Sequence, residues 1–178
     1  MKSDKILNVL MYVFFPLVTF LFAHNILAAD TDDVTATVTP KIISVMLSPT
    51  SVDFGVVSVN TYMDTTATGS GVNTSITATN NGTVAEDFGI QGFDSGDWAL
   101  VPDASHGNAE EFSMGFCNNG TCDASPAWSD VGDGSYASLA TAIAMSGGQE
   151  FDLRIKTPFS TVATAEQSIT ITVMATEN

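Results

Sequence analysis

Asp103-Ala104-Ser105-His106-Gly107 brings an aspartate, a serine and a histidine within five positions, the residue types of a nucleophile, its base and the group that orients the base. His106 is the one histidine beyond the first thirty residues, and no Gly-x-Ser-x-Gly elbow accompanies it, so it reads as a loop histidine without a catalytic role. Glu110 and Glu111 form the most obvious carboxylate pair. Hydrolysis of a glycosidic bond needs two carboxylates facing each other across it, whereas adjacent residues of a strand point to opposite faces. One of the two is expected on a solvated face and the other where the strand begins. No catalytic set is expected, and the chain reads as a non-enzyme.

Two Asp/Gly turns carry cation chemistry instead. Asp94-Ser95-Gly96-Asp97 and Asp130-Val131-Gly132-Asp133-Gly134 offer carboxylates and carbonyls of the kind that hold a hard cation such as calcium. Asp130 and Asp133 are the better pair, because Gly132 and Gly134 free the backbone to curl around an ion. Neither stretch has the full twelve-residue loop with its bidentate Glu. The rival reading for Asp94, Asp97, Asp130 and Asp133 is that they form turns in solvent. No other cofactor is expected. Trp98 and Trp128 are candidate sugar-stacking platforms, Trp128 more so because it follows Pro126 in a loop region. Core or half-buried packing is the competing reading for both.

Cys117 and Cys122 enclose Asn118-Asn119-Gly120-Thr121, whose Asn-Gly pair tolerates positive φ and brings the flanking residues face to face. A local disulfide is expected in an oxidising compartment, contributing only about 2 kcal/mol because the loop it closes is short. The spacing does not fit a Cys-x-x-Cys redox motif, and one remaining histidine is too few for a zinc site.

Positioning these residues falls to strands. If a leader ends at Ala29, 149 residues remain, of which Ser and Thr make 37, alternating with Val, Ile, Phe and Leu as in strands with one wet face. Expected strands are 41–47, 52–57, 75–80, 86–92, 98–101, 111–117, 149–156 and 167–175. Phe151, Leu153 and Ile155 recur with period two, as do Ile169, Ile171 and Val173, so each of these strands has one core face. Asn80-Asn81-Gly82-Thr83 marks the turn of a hairpin between Thr77 and Gly92. Residues 138–145 fit a short helix or another strand, with strand or extended turn preferred. Parallel sheets need crossover helices that this chain lacks, so the expected fold is all-β, an antiparallel two-sheet sandwich of seven to eight strands.

An opening strand ending in Ser48-Pro49, then Val52-Asp53-Phe54-Gly55-Val56-Val57, then Thr77-Ala78-Thr79-Asn80-Asn81-Gly82-Thr83, resembles the immunoglobulin-like domains of exported bacterial cell-surface proteins. The resemblance spans most of residues 41–176. It implies that the Asp-Phe-Gly strand lies along a sheet edge, that the Asn-x-Gly turn joins two core strands, and that a closing strand begins at Gln167. It also implies a structural or adhesive module, and it carries over no catalytic residue. The local cysteine pair, with Gly120 two before the second cysteine, sets the chain apart from antibody-type domains.

Export is read from the start of the chain. Lys2 and Lys5 precede an apolar run from Ile6 to Ala23, and Ala28-Ala29 stands before Asp30, so residues 1–29 read as a signal peptide or an uncleaved N-terminal anchor. Residues 30–40 read as a flexible acidic leader and 41–178 as the immunoglobulin-like sandwich. From Asp30 onward 3 basic residues stand against 19 acidic ones, a net of −16. Such a surface repels phosphate and anionic lipid, which argues against nucleic acid and against membrane contact beyond the first segment. The expected function is a non-catalytic, secreted or cell-surface module with a structural or adhesive role, its partners other surface proteins or polysaccharide. A carbohydrate- or calcium-binding sandwich is one alternative. The other is a filament subunit that assembles by strand addition through the alternating Val34, Ala36 and Val38.

Overall fold

Phe151, Leu153 and Ile155 are buried while Asp152, Arg154 and Lys156 between them are half-buried on the opposite face, which makes residues 148–156 the spine of the molecule. In a computed structural model the described residues are 32–66, 74–118, 122 and 128–178. Residues 1–31, which include the segment 1–29 read as signal or anchor, lie outside them, as do 67–73, 119–121 and 123–127. Asp32 to Val38 are exposed and carry no regular secondary structure. Residues 39–178 form one compact unit.

The strands run β1 (Val45–Ser48), β2 (Tyr62–Asp64), β3 (Ile76–Asn80), β4 (Glu86–Gly92), β5 (Ala99–Leu100), β6 (Glu111–Cys117), β7 (Ser129–Asp130), β8 (Gly132–Asp133), β9 (Ala137–Ile143), β10 (Gly148–Lys156) and β11 (Ile171–Glu177). A 3-10 turn, Asp103–Ser105, precedes β6. The protein is all-β, with two sheets, one of them curled. The first has the order β1-β3-β10-β6-β5, with β2 added to β10 and β7 to β6. The second has the order β11-β4-β8, with β9 also on β4.

Side chains from both sheets meet in one core: Ile76 and Ala78, Phe112, Met114 and Phe116, and the three apolar residues of β10 from the first, and Phe88, Ile90, Leu139 and Val173 from the second. Each large side chain buried in this way contributes about 1.5–3 kcal/mol, so this cluster is what holds the sheets together. Strands β4 and β6 have the expected bounds of 86–92 and 111–117, and 137–143 is a strand rather than a helix.

Five expectations need correction, the first two being that eleven strands are described where seven to eight were expected and that the closing strand begins at Ile171 rather than Gln167. Residues 52–57 form no strand: the Gly55 amide donates to Asp53 Oδ1 at 2.7 Å and Gly55 sits at φ 65°, so the chain turns instead of pairing. Val52 and Phe54 still pack against the core, which is why their alternation mimicked a strand. The stretch from Thr77 to Gly92 is not a hairpin, because β3 pairs with β1 and β10 whereas β4 pairs with β11, β8 and β9. The turn joins two core strands, but it carries the chain from one sheet to the other. Pairing is not purely antiparallel either, since β4–β8 and β5–β6 are parallel over two residues each. Such short ladders form where a loop lays a couple of residues along a neighbour, so no crossover helix is required.

Candidate functional site

The outer face of the first sheet gathers the side chains that the core does not use. Register places Tyr62 of β2 opposite Lys156 of β10, and Lys156 opposite Ser113 of β6. Directly opposed residues share a face, so these three form one row. The adjacent row is Asp64, Arg154, Gly115 and Asp130, contributed by β2, β10, β6 and β7. Arg154 and Lys156 project together because they are two apart on a strand.

Arg154 lies between two rings, its guanidinium carbon 4.6 Å from the centroid of Tyr62 and 4.7 Å from that of Trp128. Lys156 Nζ is 5.0 Å from the Tyr62 centroid. A cation over an aromatic face is worth about 0.5–2 kcal/mol, rising as water is excluded. Trp128 packs over Gly115, where a Cβ would stand 3.7 Å from the indole, an ordinary van der Waals contact. Among the described residues no hydrogen bond or ion pair engages the Arg154 guanidinium, so its fork of donors remains available.

Asp103, at the 3-10 turn, ties this face together. Its carboxylate accepts the Tyr62 hydroxyl at 2.8 Å and the Ser113 hydroxyl at 3.0 Å, and Lys156 Nζ stands 3.8 Å away. Partial burial opposes its ionisation, but the bonds from Tyr62 and Ser113 and the charges of Lys156 and Arg154 outweigh that, so the carboxyl is held below the usual range. The Asp103 amide donates to Asp130 Oδ1 at 3.2 Å, which links the turn to β7.

The other residues singled out by sequence are placed apart. His106 Nε2 bonds to the Thr157 carbonyl at 3.0 Å, whereas Asp103 is engaged by Tyr62 and Ser113. Glu110 accepts the Thr161 hydroxyl and the Val162 amide, both at 2.6 Å, and Glu111 accepts both nitrogens of Asn108, so the two carboxylates hold different loops. Asp94 accepts the Leu100 amide at 2.7 Å, Asp97 accepts Gln167 Nε2 at 2.9 Å, and Asp133 is exposed in β8. No three His, Cys, Asp or Glu side chains among the described residues are grouped so as to hold a metal ion. Trp98 donates its indole N–H to Thr161 and packs against Phe112, ring centroids 6.2 Å apart, which is the packing reading. Cys117 and Cys122 are disulfide-bonded, with Cα atoms 5.7 Å apart. The Asn119-Gly120 turn between them lies outside the described residues.

Of this site, sequence reasoning singled out Trp128, Asp130 and, in its loop beside His106, Asp103, and missed Tyr62, Arg154 and Lys156. One signal was there: Arg154 and Lys156 are two of the three cations beyond residue 29, spaced to share a strand face. Compared with known proteins, the chain matches no family model, no curated protein and no solved structure.

Proposed function

We propose that this chain is a non-catalytic, exported surface module, an immunoglobulin-like β-sandwich whose role is structural or adhesive and whose contact face is the outer face of the first sheet. One observation carries the reading. The side chains with catalytic potential, His106, Asp103, Glu110 and Glu111, are bonded into loops and strand ends, while the guanidinium of Arg154 is held in place with its donors available on a sheet face. Fixing a group by packing and leaving its polar edge unpaired suits recognition, because little conformational entropy remains to be lost on binding. The Cys117–Cys122 disulfide supports export, since such bonds persist in oxidising compartments. Among the described residues no helix is long and apolar enough to cross a membrane.

The test is to produce the full chain with a C-terminal tag in a bacterial host and treat intact cells with protease. The expected result is loss of the tag from intact cells and an oxidised cysteine pair by thiol labelling. A tag protected until lysis, with two free thiols, overturns the reading.

The carbohydrate-binding reading is favoured by the half-buried Trp128 beside Arg154 and the partly exposed Tyr62 on its other side.

A further inference from the structure

Asn81-Gly82 and Asn119-Gly120 are the dipeptide that loses ammonia most readily in an unstructured chain, because glycine puts no side chain in the way of its own nitrogen as it approaches the asparagine carboxamide. At the first pair the Gly82 nitrogen gives up its proton and bonds to Asn81 Cγ, ammonia leaves, and a five-membered succinimide results. Water then opens the ring at either carbonyl, giving aspartate or isoaspartate. Asn81 is exposed, so nothing in its own burial protects it. Asn119-Gly120 lies outside the described residues and serves as the comparison within the same chain.

The corner between β3 and β4 holds Asn81-Gly82 out of the reactive geometry. The Gly82 amide, the attacking group, donates to Asn80 Oδ1 at 2.8 Å. Asn80 is itself fully buried, its carboxamide fixed by the carbonyls of Val84 and Ile143 at 2.7 and 2.8 Å. On either side the Asn81 amide donates to the Ser44 carbonyl at 2.8 Å and the Thr83 amide to the Ile42 carbonyl at 2.9 Å. Gly82 is buried, and even a Cβ there would collide with Glu86 Oε1 and the Ile42 carbonyl, so its peptide unit has no room to swing toward Asn81.

We infer that Asn81 is a guarded deamidation site, kept intact by Asn80 while the corner is closed and converted when the corner opens. Isoaspartate adds a carbon to the main chain at a place with no spare volume, so the chain can no longer cross between the sheets as before. Each conversion turns a reversible opening into a permanent loss, which makes the site a limit on how long an opened chain remains able to refold. This goes beyond the surface reading and does not depend on it.

Peptide mapping of the full chain incubated in mildly alkaline buffer, folded and in denaturant, tests the guard. Asn81 is expected to convert about a hundredfold or more slowly in the folded chain, the protection of a segment that reacts only through local opening. Asn80→Ala is expected to speed conversion of Asn81 by about tenfold, the effect of one lost hydrogen bond. Phe112→Leu is the control: it weakens the core beyond the far end of β10, roughly 25 Å from the corner by strand rise, and is expected to leave the rate at Asn81 within a few-fold of the parent. Conversion of Asn81 at the same rate folded and denatured, or equal acceleration by Asn80→Ala and Phe112→Leu, overturns the guard.

The consequence is tested by refolding after increasing times in denaturant with the disulfide intact. The refolded fraction is expected to fall in step with isoaspartate at Asn81. Asn81 lies outside the left-handed region, so Gln is tolerated there, and its longer side chain closes a ring far more slowly. Asn81→Gln is expected to preserve refolding, Asn119→Gln to decline like the parent, and Asn81→Asp, which has the new charge without the longer main chain, to refold. Protection by Asn119→Gln instead, or undiminished refolding of chains carrying isoaspartate at Asn81, overturns the consequence, and failure of Asn81→Asp to refold overturns main-chain length as its cause.

Discussion

Glu86 is fully buried at the start of β4, where its Oε1 accepts the Ser44 amide at 2.8 Å. Its Oε2 has no hydrogen-bond partner among the described residues. Beside it, fully buried Asn80 donates to the carbonyls of Val84 and Ile143 at 2.7 and 2.8 Å and accepts the Gly82 amide at 2.8 Å. These two side chains satisfy backbone groups that the change of sheet leaves without ladder partners, and an orphaned buried group costs about 1–3 kcal/mol. Glu86→Ala and Asn80→Ala are therefore each expected to lower unfolding free energy by about 1–3 kcal/mol, and Glu86→Gln, which keeps an acceptor, by less; denaturant titration measures all three. Asp103 gives a residue-level effect with a pH signature. Its folded carboxyl ionises below the ordinary aspartate value of about 3.9, so its contribution to stability is fully present above that value and lost as pH falls through the folded pKa. Asp103→Asn is expected to lower the melting temperature at pH 7 and to narrow the gap from the parent chain as pH drops below about 3.9. A gap that stays constant down to pH 2 removes Asp103 as a source of acid sensitivity.

At the scale of the element, legibility followed burial. The two strands located to the residue, β4 and β6, lie inside their sheets, and in β4 one buried face produces the alternation that a sequence displays. Residues 52–57 show why alternation alone is insufficient: Val52 and Phe54 are drawn to the core while the Asp53–Gly55 turn prevents a ladder. Tyr62–Asp64, Ser129–Asp130 and Gly132–Asp133 escaped notice because two or three residues cannot establish a period, and β2 and β7 are two of the four strands that build the candidate site. The turn after β3 was recognised as a turn, but its direction is set by Asn80 and Glu86, whose partners Ile143 and Ser44 are distant in sequence. That corner is also intolerant of volume. A Cβ at Gly82 would stand 2.2 Å from Glu86 Oε1 and 2.4 Å from the Ile42 carbonyl, the latter backbone, so Gly82→Ala is expected to destabilise by about 1–3 kcal/mol, in the range of an overpacked site. The disulfide behaves differently. With Cys117 and Cys122 only five apart, the bond constrains little of the unfolded chain, and replacing both by Ser is expected to cost only about 2 kcal/mol and leave a folded domain. Loss of the cooperative thermal transition in that double variant contradicts this.

For the whole molecule, charge and open edges act in opposite directions. Among the described residues β1 pairs only with β3 and β11 only with β4, so both are edge strands of their sheets. An unpaired edge is a template for another chain, and the exposed, alternating Val34, Ala36 and Val38 supply a segment that can act as donor. Against this stand the short length of β1, four residues, and a net charge of −15 that makes every copy repel the next. Repulsion decides at low ionic strength, where the Debye length reaches about 30 Å at 0.01 M salt, and it fades near 1 M, where that length is about 3 Å. The core lies entirely within the compact unit of residues 39–178, so a chain beginning at Thr39 is expected to fold with an unchanged melting temperature. Sedimentation velocity at 0.01 M salt is expected to show a monomer whether or not residues 30–38 are present. At 1 M salt the two chains separate the modes of assembly. Association that persists in the shortened chain reports lateral pairing of edges or faces, whereas association that a chain beginning at residue 30 shows and the shortened one lacks identifies residues 30–38 as a strand donated to a neighbour's edge. A dimer already present at 0.01 M salt in both chains contradicts the dominance of charge and points to an interface strong enough to overcome it.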